Sequence, residues 1–316
     1  MAVQFASTGD LAQKKQTFAK LAEGVYCLTA EGDPNSGVVV GDDGVMVIDA
    51  RATPAMAREL VALIRTVTDK PIKYVVLTHY HAVRVLGASA YGAEQIIASA
   101  ATRDLIAERG RHDMKSEIGR FPRLFQAAET IPGLTWPTMT FDTAMTVWMG
   151  KREVRLMHLG AGHTKGDAVV WLPKERILFS GDLVEEGATP YCGDAYLAAW
   201  PHTLERLKRL RPRRLVPGRG AAMMTPRACL RAIESTQDFV RAMTAEIRAG
   251  VRRRRSLKQV FEATAAKLRP RYGDWVIFEH CLPFNVARGY DEARGIRDPR
   301  IWTASRDRAM WRALQG

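Results

Sequence analysis

A chain of 316 residues with 47% hydrophobic side chains is long enough for one large domain with its own core plus an appended segment, or for two small domains. No run approaches the ~20 apolar residues needed to span a bilayer, which excludes a membrane-spanning helix. Four scattered cysteines, Cys27, Cys192, Cys229 and Cys281, fit reduced thiols in a cytoplasmic protein better than a disulfide framework. The formal net charge of +13 sits in the last third: residues 1–200 hold 21 Lys and Arg against 23 Asp and Glu, and residues 201–316 hold 26 against 11. A basic third could meet nucleic acid, an anionic membrane or an acidic partner. Its arginines are mixed with Glu and Ala and no aromatic stacking motif accompanies them, so a solvated helical surface is expected, with no nucleic-acid or membrane partner.

In chain order, the segment 1–20 is polar, and its Lys14 and Lys15 precede no long apolar stretch, so no export signal is expected. Short β-branched runs at 25–29, 37–40 and 45–48, separated by Gly and Asp, read as antiparallel strands. Thr53 before Pro54 starts a helix over 53–68, with Met56, Leu60, Leu63, Ile64 and Val67 at helical spacing. A buried strand at 74–77, a strand-like Ile96-Ile97, a short helix at 102–108 and a second helix at 114–128 follow. Trp136, Phe141 and Trp148 sit on hairpin-like strands. A second strand group at 154–159, 168–172, 177–179 and 215–216 is interrupted by a helix over 201–210. Two packed sheets with helices outside are the layered solution to that order.

From Thr225 on the composition changes. Two long helices are expected at 226–250 and 256–268, with Ile233, Phe239, Val240, Met243 and Ile247 on one face. The run Arg252 to Arg255 joins them near a helix C-terminus, where cations meet the helix dipole favourably. Trp275, Phe278, Phe284, Trp302 and Trp311 in the tail argue for packing rather than disorder. The reading is therefore a domain over 1–225 and a basic helical extension over 226–316, packed on the core or on a partner subunit of a homodimer.

Three histidine and carboxylate motifs follow apolar runs: Thr78-His79-Tyr80-His81, Gly162-His163-Thr164 and Ser180-Gly181-Asp182. Loops leaving strands at one sheet edge converge, so His79, His81, His163 and Asp182 are expected around one cation. Three neutral imidazoles with one open position make a catalytic zinc, whose bound water has its pKa lowered towards ~7. His112, His158, His202 and His280 read as ordinary histidines.

These pieces resemble, in order and context, the metallo-β-lactamase fold superfamily. Its signature is His-x-His-x-Asp-His, then a His in a Gly-His-Thr loop, a Gly-Asp step and a Pro-Gly-His. The resemblance spans residues 20 to 220 and includes Asn35-Ser36-Gly37 to Asp49, similar to the family's opening hairpin and buried aspartate. It implies an α/β chain folded as a four-layer αβ/βα sandwich, with the helical C-terminal extension added. Val83 and Arg84 stand where the family has Asp and His, and Arg219 replaces the last His. Asp182, which bridges two metals in the family, is therefore expected beside one: zinc, one per chain. The alternative is Fe(II) held by His79, His163 and Asp182, the two-histidine, one-carboxylate set of persulfide dioxygenase-like enzymes.

Arg84 and Arg219 together carry the charge of one divalent cation. They are expected to replace the second ion electrostatically and to hold a substrate carboxylate or an oxyanion; the alternative is that they merely pair with and neutralise Asp182 in a site that has lost its chemistry. Valine cannot orient an attacking water, so the general base falls to Asp182, Glu185, Glu186 or Asp194, with Tyr191 as a proton donor. Cys192 is either a replacement ligand or a small buried thiol, the second being the commoner fate. The function implied is a metal-dependent hydrolase of a small anionic ester, lactone, thioester or amide. An iron oxygenase and a non-catalytic binding protein on a decayed scaffold are the alternatives.

Overall fold

In β4 (Val45–Ile48), Val45 and Val47 join one buried cluster while Met46 and Ile48 join another. A strand buried on both faces needs a layer on each side, and that requirement organises the molecule. The computed structural model describes residues 6–315. Residues 1–5, part of the segment read as lacking an export signal, and Gly316 lie outside the described residues.

The first sheet runs β1 (Gln16–Ala22), β2 (Val25–Ala30), β3 (Ser36–Val40), β4, β5 (Ile72–Val76), β6 (Gln95–Ser99) and β7 (Met139–Phe141). Its first four strands are an antiparallel meander, and β4 to β7 are parallel. The second sheet is ordered β12 (Arg214–Val216), β11 (Ile177–Phe179), β10 (Val169–Leu172), β9 (Arg152–Met157) and β8 (Ala144–Met149). Val39, Ile48 and Val76 of the first sheet pack against Leu156, Val170 and Phe179 of the second.

Helix α1 (Pro54–Arg65) starts at Thr53, whose side chain accepts from the Met56 amide, and buries Leu60 and Ile64 on the outer face of the first sheet. A single turn, α2 (Ala82–Val85), follows the histidine motif, and α3 (Ala100–Arg120) begins at the Ser99 cap. The second sheet is covered by α4 (Trp200–Arg209), α5 (Pro226–Arg252), α6 (Leu257–Tyr272) and α7 (Phe278–Ala293), and α8 (Ala304–Gln315) packs on α6 and α7. The result is the four-layer αβ/βα order, with the C-terminal helices present.

Two expectations need correction. The helices expected at 102–108 and 114–128 are one, α3, which runs through Gly110 and stops at Arg120. Gly110 lies within the helix against Leu134, where the missing side chain leaves room for a packing contact. Pro122 disfavours helical geometry at Phe121, which ends α3. Strand β1 was not foreseen, because only Leu21 within it is fully buried and its apolar and polar residues do not alternate. No helix among the described residues is long and apolar enough to cross a membrane. All four cysteines are free and buried.

Candidate metal centre

The site lies where the chain leaves β5, β9, β11 and β12. Asp49, just past β4 and held at φ 61°, accepts from the Thr78 amide and hydroxyl, both at 2.9 Å. The Thr78 carbonyl in turn accepts from Ala168 at 2.7 Å, which ties the first histidine loop to the loop carrying His163. Gly181, at φ 52°, passes so close that a Cβ there would come within 2.6 Å of the Thr78 hydroxyl. Glycine takes this left-handed conformation without steric cost and, lacking a Cβ, tolerates the approach.

His79, His81 and His163 are 1%, 3% and 1% exposed, and their facing nitrogens all lie within 4.8 Å of one another. Each ring is pinned on its outer side. His163 Nδ1 lies 2.8 Å from the Tyr191 carbonyl, which can only accept. His81 Nε2 lies 3.3 Å from the Asp194 carboxylate, which Arg109 holds from behind at 3.2 Å. His79 Nδ1 lies 3.0 Å from the Thr78 hydroxyl, which gives its own proton to Asp49. With each outer nitrogen donating, the lone pairs of His79 Nε2, His81 Nδ1 and His163 Nε2 converge.

Converging lone pairs repel unless a cation or a proton stands between them. His81 Nδ1 and His163 Nε2 are 2.9 Å apart, and His79 Nε2 is buried with no hydrogen-bond partner among the described residues. Burial holds His79 well below its ordinary pKa and pushes His163 down to about 3. Burial works the same way on His81, but Asp113 and Asp194 outweigh it and raise this group to about 9. Without a metal the proton retained by His81 can bridge to His163 Nε2; once a cation displaces it, the three nitrogens are the donor set a tetrahedral, borderline-soft metal takes, with the outer hydrogen bonds that fix ligand orientation already made.

Asp182 lies beside this cluster, Oδ2 being 3.7 Å from His79 Nε2 and 3.6 Å from His163 Nε2. Burial alone would raise its pKa, but the charges of Arg84 and Arg219 hold it well below the usual carboxylate range. Arg84 donates to Asp182 Oδ1, to the Asn35 carbonyl at 2.6 Å and to the Gly218 carbonyl at 2.7 Å. Arg219 reaches Asp182 Oδ2 at 3.0 Å and Glu185 at 3.1 Å, both through Nη1. Gly218 leaves room for the carboxylate, since a Cβ there would collide with Asp182 Oδ1.

A family model described as the metallo-beta-lactamase superfamily matches residues 29–219. The chain belongs to this superfamily. A metallo-beta-lactamase type 2 from Bacillus sp. (strain 170) is 28% identical over 198 residues, 60% of this chain and 68% of that one. One from Pseudomonas aeruginosa is 26% identical over 197 residues, 60% of this chain and 70% of the other. Among solved structures, the metallo-beta-lactamase from Pontibacter korlensis has a TM-score of 0.56 at 24% identity, over 70% of this chain and 99% of that chain. The DIM-1 metallo-beta-lactamase has a TM-score of 0.57 at 20% identity, over 72% and 99%. These two likenesses are of fold. Membership implies a metal, and the His79, His81 and His163 triad is the group here that could hold one.

The remaining metallo-β-lactamase positions separate. Val83 packs into the apolar layer with Met56 and Leu124. The Cys192 thiol donates to the Pro190 carbonyl, the buried-thiol arrangement. Glu185 is buried against Arg219, whereas Glu186 is half-buried. The Tyr191 ring stands 5.6 Å from that of His81, and burial keeps its phenol well above its ordinary pKa against the pull of Arg120. Tyr191, Phe284 and Trp302 form a run of ring contacts over the imidazoles. Sequence reasoning missed Thr78, Arg109 and Asp113, the last of which accepts from the Ala82 amide at 2.7 Å. Thr78 stands in the histidine motif without a signal of its role, and Arg109 and Asp113 lie on α3 with no motif of their own.

Proposed function

We propose that the chain is a metal-dependent hydrolase of a small anionic ester, lactone, thioester or amide, working with one zinc held by His79, His81 and His163. The convergence of three imidazole lone pairs whose outer nitrogens are all engaged carries the reading. Bound there, zinc supplies Lewis acidity and a water acidic enough to attack at neutral pH. Arg84 and Arg219 stand in for a second ion by neutralising Asp182, and Asp182 in turn faces the triad as the acceptor that orients the nucleophile. Arg84 is committed to Asp182 and two carbonyls, so the anchoring of a substrate carboxylate or oxyanion falls to Arg219, whose internal hydrogen bonds all leave from Nη1. Tyr191 keeps its proton and serves as a donor to the leaving group. The partner is a small molecule rather than nucleic acid or membrane, the compartment is the cytoplasm, and the apolar helices after Thr225 suit a homodimer.

One observation favours a second reading. Asp182 Oδ2 stands within 3.7 Å of two histidine nitrogens, so His79, His163 and Asp182 also suit Fe(II) of an oxygenase. Metal analysis of protein purified without added metal, beside His79→Ala, decides. About one zinc per chain, absent from the variant, with turnover of an ester, lactone, thioester or cyclic amide panel, supports the hydrolase. Iron in its place favours the oxygenase, and no metal after incubation with zinc and ferrous ion leaves a binding protein.

A further inference from the structure

The stretch 184–199 carries Tyr191 and Asp194, the partners of His163 and His81, yet it forms no helix or strand of its own. Its backbone groups must therefore find partners elsewhere; the loop at 218–219 and Val276 take several near its start, and α7 supplies those around Tyr191 and beyond. Asn285 is fully buried. Its Oδ1 accepts from the Cys192 amide at 2.6 Å and its Nδ2 donates to the Pro190 carbonyl at 2.9 Å. Since an amide N–H can only donate and a carbonyl can only accept, this is the one orientation of the side chain that satisfies both. The two bonds grip the chain on either side of Tyr191, whose own carbonyl receives His163 Nδ1. Further along, Arg288 donates to the Ala195 carbonyl at 2.7 Å, and Glu292 accepts from the amides of Leu197 and Ala198 at 3.0 and 2.9 Å.

We infer that Asn285 is a positioning residue of the metal centre: it fixes the Tyr191 carbonyl and through it the aim of His163 Nε2. The helical extension, which lies wholly beyond the region matched by the family model, is thereby part of the site rather than an appendage. The inference rests on the metal-centre reading above. A peptide carbonyl free to rotate would let the imidazole turn about its Cβ, and a ligand must be held close to its productive direction to keep its share of the affinity.

The test uses the full chain, with zinc affinity measured by competition against a chromophoric chelator and the visible absorption of the Co(II)-loaded protein as a report of ligand geometry. Asn285→Ala removes both bonds. Asn285→Asp keeps the acceptor for Cys192 and loses the donor to Pro190, so it remains informative if the alanine variant does not fold. Outer hydrogen-bond partners of ligands cost ~10–100-fold when removed; acting one residue further out, Asn285 should cost about tenfold in zinc affinity, with an altered Co(II) spectrum. Phe239→Leu, in the α5 core against Tyr272 and Trp275, is the control. It should lower the melting temperature and leave affinity and spectrum unchanged. Wild-type affinity and spectrum in a folded Asn285 variant, or an equal loss in Phe239→Leu, would overturn the inference while the metal-centre reading stands. Failure of the wild-type chain to bind zinc or Co(II) would sink both.

Discussion

The Arg84 guanidinium and the Asp182 carboxylate form an ion pair whose side chains are 1% and 2% exposed, and Arg219 closes on the other oxygen of the same carboxylate. Breaking a buried pair from one side leaves charge uncompensated, at a cost of ~3–5 kcal/mol. Asp182→Ala should therefore destabilise the metal-free chain by about that much in urea denaturation. A loss below about 1 kcal/mol would mean that the two guanidiniums find other partners.

Replacing both guanidiniums should restore a second ion. In the double variant Arg84→His, Arg219→His, two imidazoles would flank Asp182 in place of two fixed positive charges. Two zinc ions per chain are expected where the wild type takes up one. Val83 stays unchanged because it packs in the apolar layer rather than facing the ion pair. Uptake of a single ion by the double variant would remove the case for electrostatic substitution.

His81→Ala should abolish zinc uptake together with any hydrolytic activity, since it removes the donor that closes the triad against His163 at 2.9 Å. Equilibrium dialysis and turnover are read on the same preparation. Activity that persists after the metal is lost would show that the hydrolysis does not use this site.

Glu185 gives the chain a pH signature. Burial, with the Asp182 charge adding to it, pushes this carboxyl up to about 8 from an ordinary 4.5, against the pull of Arg219. The folded chain thus keeps a proton that the unfolded chain has released. Its stabilising contribution is complete below 4.5 and is lost as pH rises through 8. Between about pH 5 and pH 9 the melting temperature of Glu185→Gln should fall less than that of the wild type. Parallel curves would place Glu185 as an ion beside Arg219 throughout.

The motif around His79 and His81 and the Gly-Asp step were legible because each follows a mostly apolar, buried strand, whereas His163 follows the alternating strand β9 and was legible from its Gly-His-Thr context. The same periodicity announced the two strand groups, α1, α5 and α6. Chemistry-bearing residues that sit at strand ends can be found this way, since the strands carry the pattern and the loops carry the function.

What stayed illegible is the support. Asp194, singled out as a candidate general base but not as the partner of His81, comes from a loop without regular structure, Arg109 from α3 and Asn285 from the far end of the chain, and nothing in their spacing connects them. Helix α3 reads as two segments because its buried side includes Arg109, Asp113, Glu117 and Arg120, which obscure a continuous apolar face. The sequence by itself determined which side chains can bind a cation and which layers flank them, because both follow from local pattern. Only the tertiary structure decided that Arg84 and Arg219 would spend themselves on Asp182, and that α7 would hold the loop behind His163. Buried polar groups take whatever partners folding brings within 3 Å, and that pairing is a property of distance in space, not in sequence.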